Sequence, residues 1–329
     1  MSRPARNPLE LTEAMLAGDR IALARLITLV ENRRSDTASI MSRVFPACGH
    51  AHTIGITGPP GAGKSTITSC MIGHLREADK SVGIVAIDPS SPFSGGSVLG
   101  DRIRMQKHFL DEAVFIRSLS TRGSHGGLAR AGRDVSRLMD AAGKDNVIIE
   151  TVGVGQTELD IMEVADTVVV VLVPESGDTV QVMKAGLLEI ADIFVVNKAD
   201  RDGAIRMRTE LEMMLSLKSH ELGDTDWRVP VLMTNASKAE GTLELLQACN
   251  AHQEHLRSRA HDGRNQARLR AEVLQICEEE VMRRLRAGIE SGDLAEAMDS
   301  AARGDADPYG AALEILADPK RLAALLAIA

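Results

Sequence analysis

ITGPPGAGKST, residues 56–66, decides the fold. Within it GPPGAGKS fits G-x-x-x-x-G-K-[ST]: Gly58, Gly63, Lys64 and Ser65 take the fixed positions, with Pro59, Pro60, Gly61 and Ala62 between them. The glycines let the backbone curl so that its N–H groups converge, and the following helix adds the positive end of its dipole. A loop of this kind cradles a β-phosphate. Lys64, at a solvent-facing helix start, neutralises β- and γ-phosphates; the Ser65 hydroxyl ligates magnesium, and Thr66 adjoins it in the same binding stretch. The plainer reading is a glycine-rich turn. Context opposes it, because the strand-like run HTIGITG (52–58) precedes the loop and an amphipathic helix follows.

Outward from this loop the pattern repeats. SVGIVAID, AVFIRSL, NVIIET, TVVVVLVP, IFVVNK and RVPVLMTN are short runs, mostly continuously apolar, separated by helical segments. Strands buried on both faces of a parallel sheet have this appearance, and alternation with helices gives right-handed βαβ crossovers. The expected fold is an α/β P-loop NTPase with a mainly parallel central sheet flanked by helices. Residues 8–33 read as one or two helices broken at Gly18, with Asp19 as an N-cap. After residue 258 the strands stop. The expected divisions are an N-terminal helical extension (1–50), a G domain (51–258) and a C-terminal helical arm (259–329). Val273, Ile276, Val281 and Leu285 fall on one face of that arm, which either caps the same core or joins two chains.

Composition narrows the function classes. The 329 residues are 44% hydrophobic and 26% charged, which is globular rather than disordered, and with 2% aromatics the core must be aliphatic. A net charge of -8 disfavours nucleic acid as a partner. No apolar run reaches the roughly 18 residues that a membrane helix needs, and the N-terminus lacks a signal-like apolar stretch. Cys48, Cys70, Cys249 and Cys277 show no zinc-ligand or redox-pair spacing. A cytoplasmic protein with reduced thiols is expected.

NKAD (197–200) ends a later strand. Alone, N-K-x-D also fits a helix N-cap. After a P-loop, Asp200 can accept from guanine N1–H and the 2-amino group, two donors that adenine lacks at that edge. The Lys198 stem can lie along the base. TNAS follows the next strand, so Asn235, Ala236 and Ser237 suit a loop over the base. In IIETVGVGQTE, Glu150 ends a strand within reach of a magnesium shell, and Gly153 can give its N–H to the γ-phosphate. Asp88 ends the strand after the P-loop helix and Asp101 follows in a Ser/Gly-rich loop; either also fits an ordinary cap. The loop 118–127, with His125, has no role that its residues assign.

With IDPSSPFSGGSVLGDRIRM, ETVGVGQTE, VPESGDTVQVMKAGLLEIAD and NKAD in hand, the chain resembles the MeaB/ArgK/MMAA family over nearly its whole length. These are P-loop GTPases of the SIMIBI class that act as chaperones of adenosylcobalamin-dependent acyl-CoA mutases. The resemblance implies a GTP/GDP cycle with Mg2+, a homodimer through the C-terminal arm, and a mutase partner, methylmalonyl-CoA mutase by default, with an adenosyltransferase beside it. It implies that Ser65, Asp88, Asp101 and Glu150 surround magnesium, and that 176–184 is a third switch whose Lys184 changes contacts when the partner binds. TNAS departs from the family's commoner T-S-A. The family has also been described as a kinase linked to amino-acid transport, but the chain offers no separate acceptor-protein site.

Hydrolysis is expected to be slow in the free protein. Ras-like GTPases position water with a glutamine after the D-x-x-G glycine; here Gln156 falls later, and no arginine stands beside the P-loop. Two rivals carry other functions. A nickel- or zinc-insertion GTPase would need a Cys/His cluster, for which Cys48, His50 and His52 are the candidates. A signalling GTPase would have no enzyme client.

Overall fold

A computed structural model describes residues 7–32, 36–89, 105–121, 127–151, 161–174, 186–219, 227–259, 264–290, 294–305 and 307–317. Two compact units divide the chain, 1–258 and 259–329.

In the first unit seven strands form one parallel sheet. They are β1 (His52–Thr57), β2 (Val82–Pro89), β3 (Val114–Thr121), β4 (Asn146–Thr151), β5 (Thr167–Leu172), β6 (Ile193–Asn197) and β7 (Val231–Thr234). Their order is β3-β2-β4-β1-β5-β6-β7, and every pairing is parallel. All their C-terminal ends therefore share one edge, where open α/β sheets bind their ligands. The run RVPVLMTN yields only four strand residues, because Pro230 has no N–H for a ladder, although its carbonyl accepts Phe194 N–H at 2.9 Å.

Both faces of the sheet are covered, which is why the central strands are mostly apolar, while β3 at the sheet edge carries Arg117 and Ser118. On one face lie α1 (Pro8–Leu16), α2 (Arg20–Glu31), α3 (Thr37–Val44) and, later in the chain, α5 (Gly127–Ala141). Met15, Leu26, Ile27, Ile40, Leu138 and Met139 close on Val85, Val147 and Ile149 there. The three N-terminal helices thus share a core with the sheet. Asp19 does cap α2: its Oδ1 accepts Ile21 N–H at 2.8 Å and Ala22 N–H at 3.1 Å. Such caps contribute about 1 kcal/mol.

The opposite face is covered by α4 (Lys64–Glu77) and α8 (Thr242–Ser258), whose Ile67, Met71, Leu245 and Cys249 pack under Ile54, Ile56, Val169 and Val195. Between these in sequence, α6 (Leu187–Ile190) and α7 (Ala204–Ser219) bury Phe194, Val170 and Val196. The second unit contains α9 (Arg264–Glu290), α10 (Ala295–Arg303) and α11 (Pro308–Ala317). On α9, Val273, Ile276 and Val281 are exposed.

At the N-terminal edge of the sheet a buried polar chain ties strands to helix. His52 Nε2 lies 2.8 Å from Thr167 Oγ1, Thr167 Oγ1 lies 2.9 Å from His252 Nδ1, and His252 Nε2 lies 3.3 Å from Asp192 Oδ1. The carboxylate assigns the protons: His252 donates to Asp192, accepts from Thr167, and leaves the Thr167 oxygen to accept from His52. Burial holds the His52 pKa down to about 3.

Candidate functional site

The loop between β1 and α4 crosses the C-terminal edge of the sheet. Gly58 and Gly63, the two fixed glycines of the motif, have φ of 135° and 91°, where a Cβ is strained. Close packing adds a second reason. A Cβ on Gly58 would meet the Val171 carbonyl oxygen of β5, and one on Gly63 would meet the Asn197 amide nitrogen. No side chain caps the start of α4, so its first turn keeps donors for an anion.

Lys64 corrects an expectation. It does not project from a solvent-facing helix start but is 6% exposed. Its Nζ folds back to donate to Gly58 O at 2.7 Å and Pro59 O at 3.0 Å. The ammonium is thereby held across the loop by oxygen acceptors, the kind of atom that phosphates present.

Glu150 sits at the C-terminal end of β4 and is 6% exposed. Its carboxylate accepts the hydroxyl protons of Ser65 and, at 3.1 Å, of Thr68. Ser65 and Thr68 are three residues apart on α4 and so share a face. The result is a buried donor set made only of oxygens, the chemistry that suits a hard divalent cation such as Mg2+. The backbone of Asp88 lies near the end of β2, one residue past Ile87, whose register partner is Thr151 on β4. Asp101, Gly153, Gln156 and Lys184 lie outside the described residues, as do 176–184 and residues 122–126 of the 118–127 loop, His125 included.

On the other side of the P-loop, Asn197 closes β6. Its Nδ2–H donates to Ala62 O at 2.8 Å. Its Oδ1 accepts from Thr234 Oγ1 at 3.0 Å and from Ala236 N–H at 3.1 Å. One side chain thus joins the P-loop to the TNAS loop. Lys198 follows with φ of 57°, and Asp200 is exposed beyond it. The TNAS loop is tied to itself: Asn235 and Glu240 exchange backbone hydrogen bonds at 3.0 and 3.2 Å, and Ser237 Oγ donates to Asn235 Oδ1 at 2.7 Å.

Between these parts lies a cavity of about 620 Å³ lined by Ser65, Thr66, Ser69, Cys70, Lys107 and residues 236–239. That volume is in the small-molecule range of about 300–1,000 Å³. The Cys70 thiol donates to Ala236 O at 3.3 Å, and burial raises its pKa, so it stays protonated and able to donate. Two site residues were not singled out from sequence. Thr68 had a signal, a hydroxyl one helical turn beyond Ser65. Lys107 had none, since only the fold brings it to α4.

The Cys48–His50–His52 group is not drawn together as a metal site. Cys48 Sγ donates to the carbonyls of Val44 and Arg137, and His52 is engaged with Thr167. Among the described residues no group of three His, Cys, Asp or Glu side chains is placed to hold a metal. No described helix is long and apolar enough to cross a membrane.

Comparison with known proteins follows the same lines. The profile described as "Methylmalonyl Co-A mutase-associated GTPase MeaB" matches residues 23–290. A protein of Pyrococcus abyssi is 48% identical over 93% of this chain and 95% of its own length. GTPase ArgK of Escherichia coli is 37% identical over 70% of this chain and 71% of its own. Among solved structures, one described as LAO/AO transport system kinase superposes with a TM-score of 0.66 at 26% identity, over 96% of this chain and 98% of the other.

Proposed function

Because the chain belongs to the family of methylmalonyl Co-A mutase-associated GTPases, MeaB, we propose that it hydrolyses GTP to gate a cobalamin-dependent acyl-CoA mutase. The gated steps are loading, protection and reactivation of adenosylcobalamin on that mutase, methylmalonyl-CoA mutase in the first instance. An adenosyltransferase is the second proposed partner, and the cytoplasm the proposed location.

The observation that carries the GTPase half is the joined architecture around Ser65. Glu150 accepts from Ser65 and Thr68, while Asn197 holds the P-loop against the TNAS loop. In this reading residues 58–66 and Lys64 bind the phosphates. Asp200, with Lys198 alongside and 235–237 closing over, selects guanine. Ser65 and Glu150 would hold Mg2+, with Asp88 and Asp101 as further candidates. When bound, the metal neutralises phosphate charge and clamps the phosphoryl oxygens. Gly153 would sense the γ-phosphate through its N–H. Gln156 comes late for water positioning, so the transition-state charge is incompletely met until the mutase docks and Lys184 changes its contacts.

Single-turnover GTP hydrolysis with and without methylmalonyl-CoA mutase tests this. Wild type is expected to accelerate with mutase, by up to the 10³–10⁵-fold that trans-acting groups supply elsewhere, and Lys184→Ala to lose most of that gain. Equal rates in all four conditions would leave a GTPase with no partner-gated switch.

The homodimer is proposed to run through the C-terminal arm, supported by exposed Val273, Ile276 and Val281 on α9. Light scattering is expected to give a dimer for the full chain and a nucleotide-binding monomer for a chain ending at residue 262. A monomeric full-length protein, or a dimeric truncation, would overturn it.

A further inference from the structure

A short turn, Gln106–His108, is fastened to α4 from both sides. Met105 is 1% exposed within the core beneath the sheet. His108 Nε2 lies 3.2 Å from both Oγ and O of Ser69, and Asp111 accepts from Arg76 Nε at 2.8 Å. Lys107 stands between these anchors, so its backbone position is set even though its side chain is exposed.

Two observations place its charge. Lys107 lines the same cavity as Ser65, Thr66 and Ser237. Its ammonium also acts on the Cys70 thiol, opposing the rise that burial causes, which puts it within Coulomb reach of a residue bonded to Ala236. Among the described residues Lys107 has no ion pair or hydrogen bond.

The cavity runs from the exit of the phosphate loop to the base loop. A nucleotide held at both ends would lay its ribose and α-phosphate across that span. The β- and γ-phosphates would fall on the P-loop proper, away from Lys107.

We propose that Lys107 recognises the 5′ α-phosphate of the bound guanine nucleotide, a positioning contact common to the mono-, di- and triphosphate; this rests on the GTPase reading above. The other cation on the cavity rim, Lys238, belongs to the base loop itself, whereas Lys107 is carried by the turn anchored on α4.

The test is competition of GMP, GDP and GTP against a fluorescent GDP analogue on the full chain. Lys107→Met is expected to weaken all three by the same factor, roughly tenfold, the scale of one partly exposed charge-assisted hydrogen bond. Lys107→Arg should restore most of the loss, since the charge is kept. Lys80→Met, removing an equal charge from a lysine paired with Asp145, should leave all three affinities as in wild type. A loss with GTP but not with GMP would assign Lys107 to the outer phosphates and overturn the proposal, as would no loss at all or an equal loss in Lys80→Met. Wild type that binds none of the three would instead overturn the GTPase reading itself.

Discussion

Lys64→Ala is expected to lower GTP turnover on the order of 10³-fold, the scale of removing one preorganised charge-stabilising donor. The position makes the effect large. Lys64 is buried against the P-loop and already donates to two carbonyls of that loop, so alanine removes a charge that the fold holds in place. The same burial complicates the readout, because alanine leaves Gly58 O and Pro59 O short of a donor. That local loss is expected to cost about 1–3 kcal/mol at most. A thermal melt followed by circular dichroism must therefore accompany the kinetics. A cooperative melt with turnover abolished supports a phosphate role for Lys64. Turnover at the wild-type rate would sink the P-loop reading, and loss of the melt would make the lysine structural.

Asp200→Asn is expected to weaken GTP by a factor on the order of 10² or more, about 2.7 kcal/mol. Guanine offers two adjacent donors, N1–H and the 2-amino group, and a carboxylate accepts both. Asparagine replaces one acceptor with a donor, so one of the two bonds becomes a clash of protons. The substitution has a positive arm as well. Xanthine carries a carbonyl where guanine has the amino group, so the asparagine variant should gain affinity for xanthosine triphosphate as it loses GTP. Asp200 is exposed and lies past the strand end, so the fold should tolerate the change. Calorimetry showing unchanged GTP affinity would remove Asp200 from base recognition.

Much of the sheet was legible because burial on both faces leaves a mark. Residues such as Val168 to Leu172 are apolar without alternation, and only a two-sided environment produces that. The Asp19 cap was legible for a local reason, since its partners are two and three residues away. Strand order was not. β1 lies between β4 and β5, and no local pattern encodes which distant strand becomes a neighbour. The site divides in the same way. Ser65, Glu150 and Asn197 could be named from their motifs, but the inward fold of Lys64 depends on carbonyls whose direction is set by glycines at positive φ. The chain His52–Thr167–His252–Asp192 joins residues 115 and 85 positions apart, and single polar residues at such separations carry no periodic signal. Lys107 escaped for that reason too.

The amide of Asn197 has a consequence for how tightly, and how selectively, a ligand is held. By gripping Ala62 O on one side and Ala236 N–H on the other, it sets the span between the two loops when the chain folds. The entropy of aligning them is then lost once, at folding, and not again at each encounter. A ligand that reaches both loops has its second attachment made effectively intramolecular, at a local concentration far above that in solution. Free guanine or free pyrophosphate touches only one end and gains nothing from the arrangement. The pair of loops therefore works as a gauge of length, admitting molecules whose base and outer phosphates stand one nucleotide apart. Release follows the same logic: splaying the two loops would break the Asn197 bonds, so the low-energy route for a departing nucleotide leaves this gauge intact.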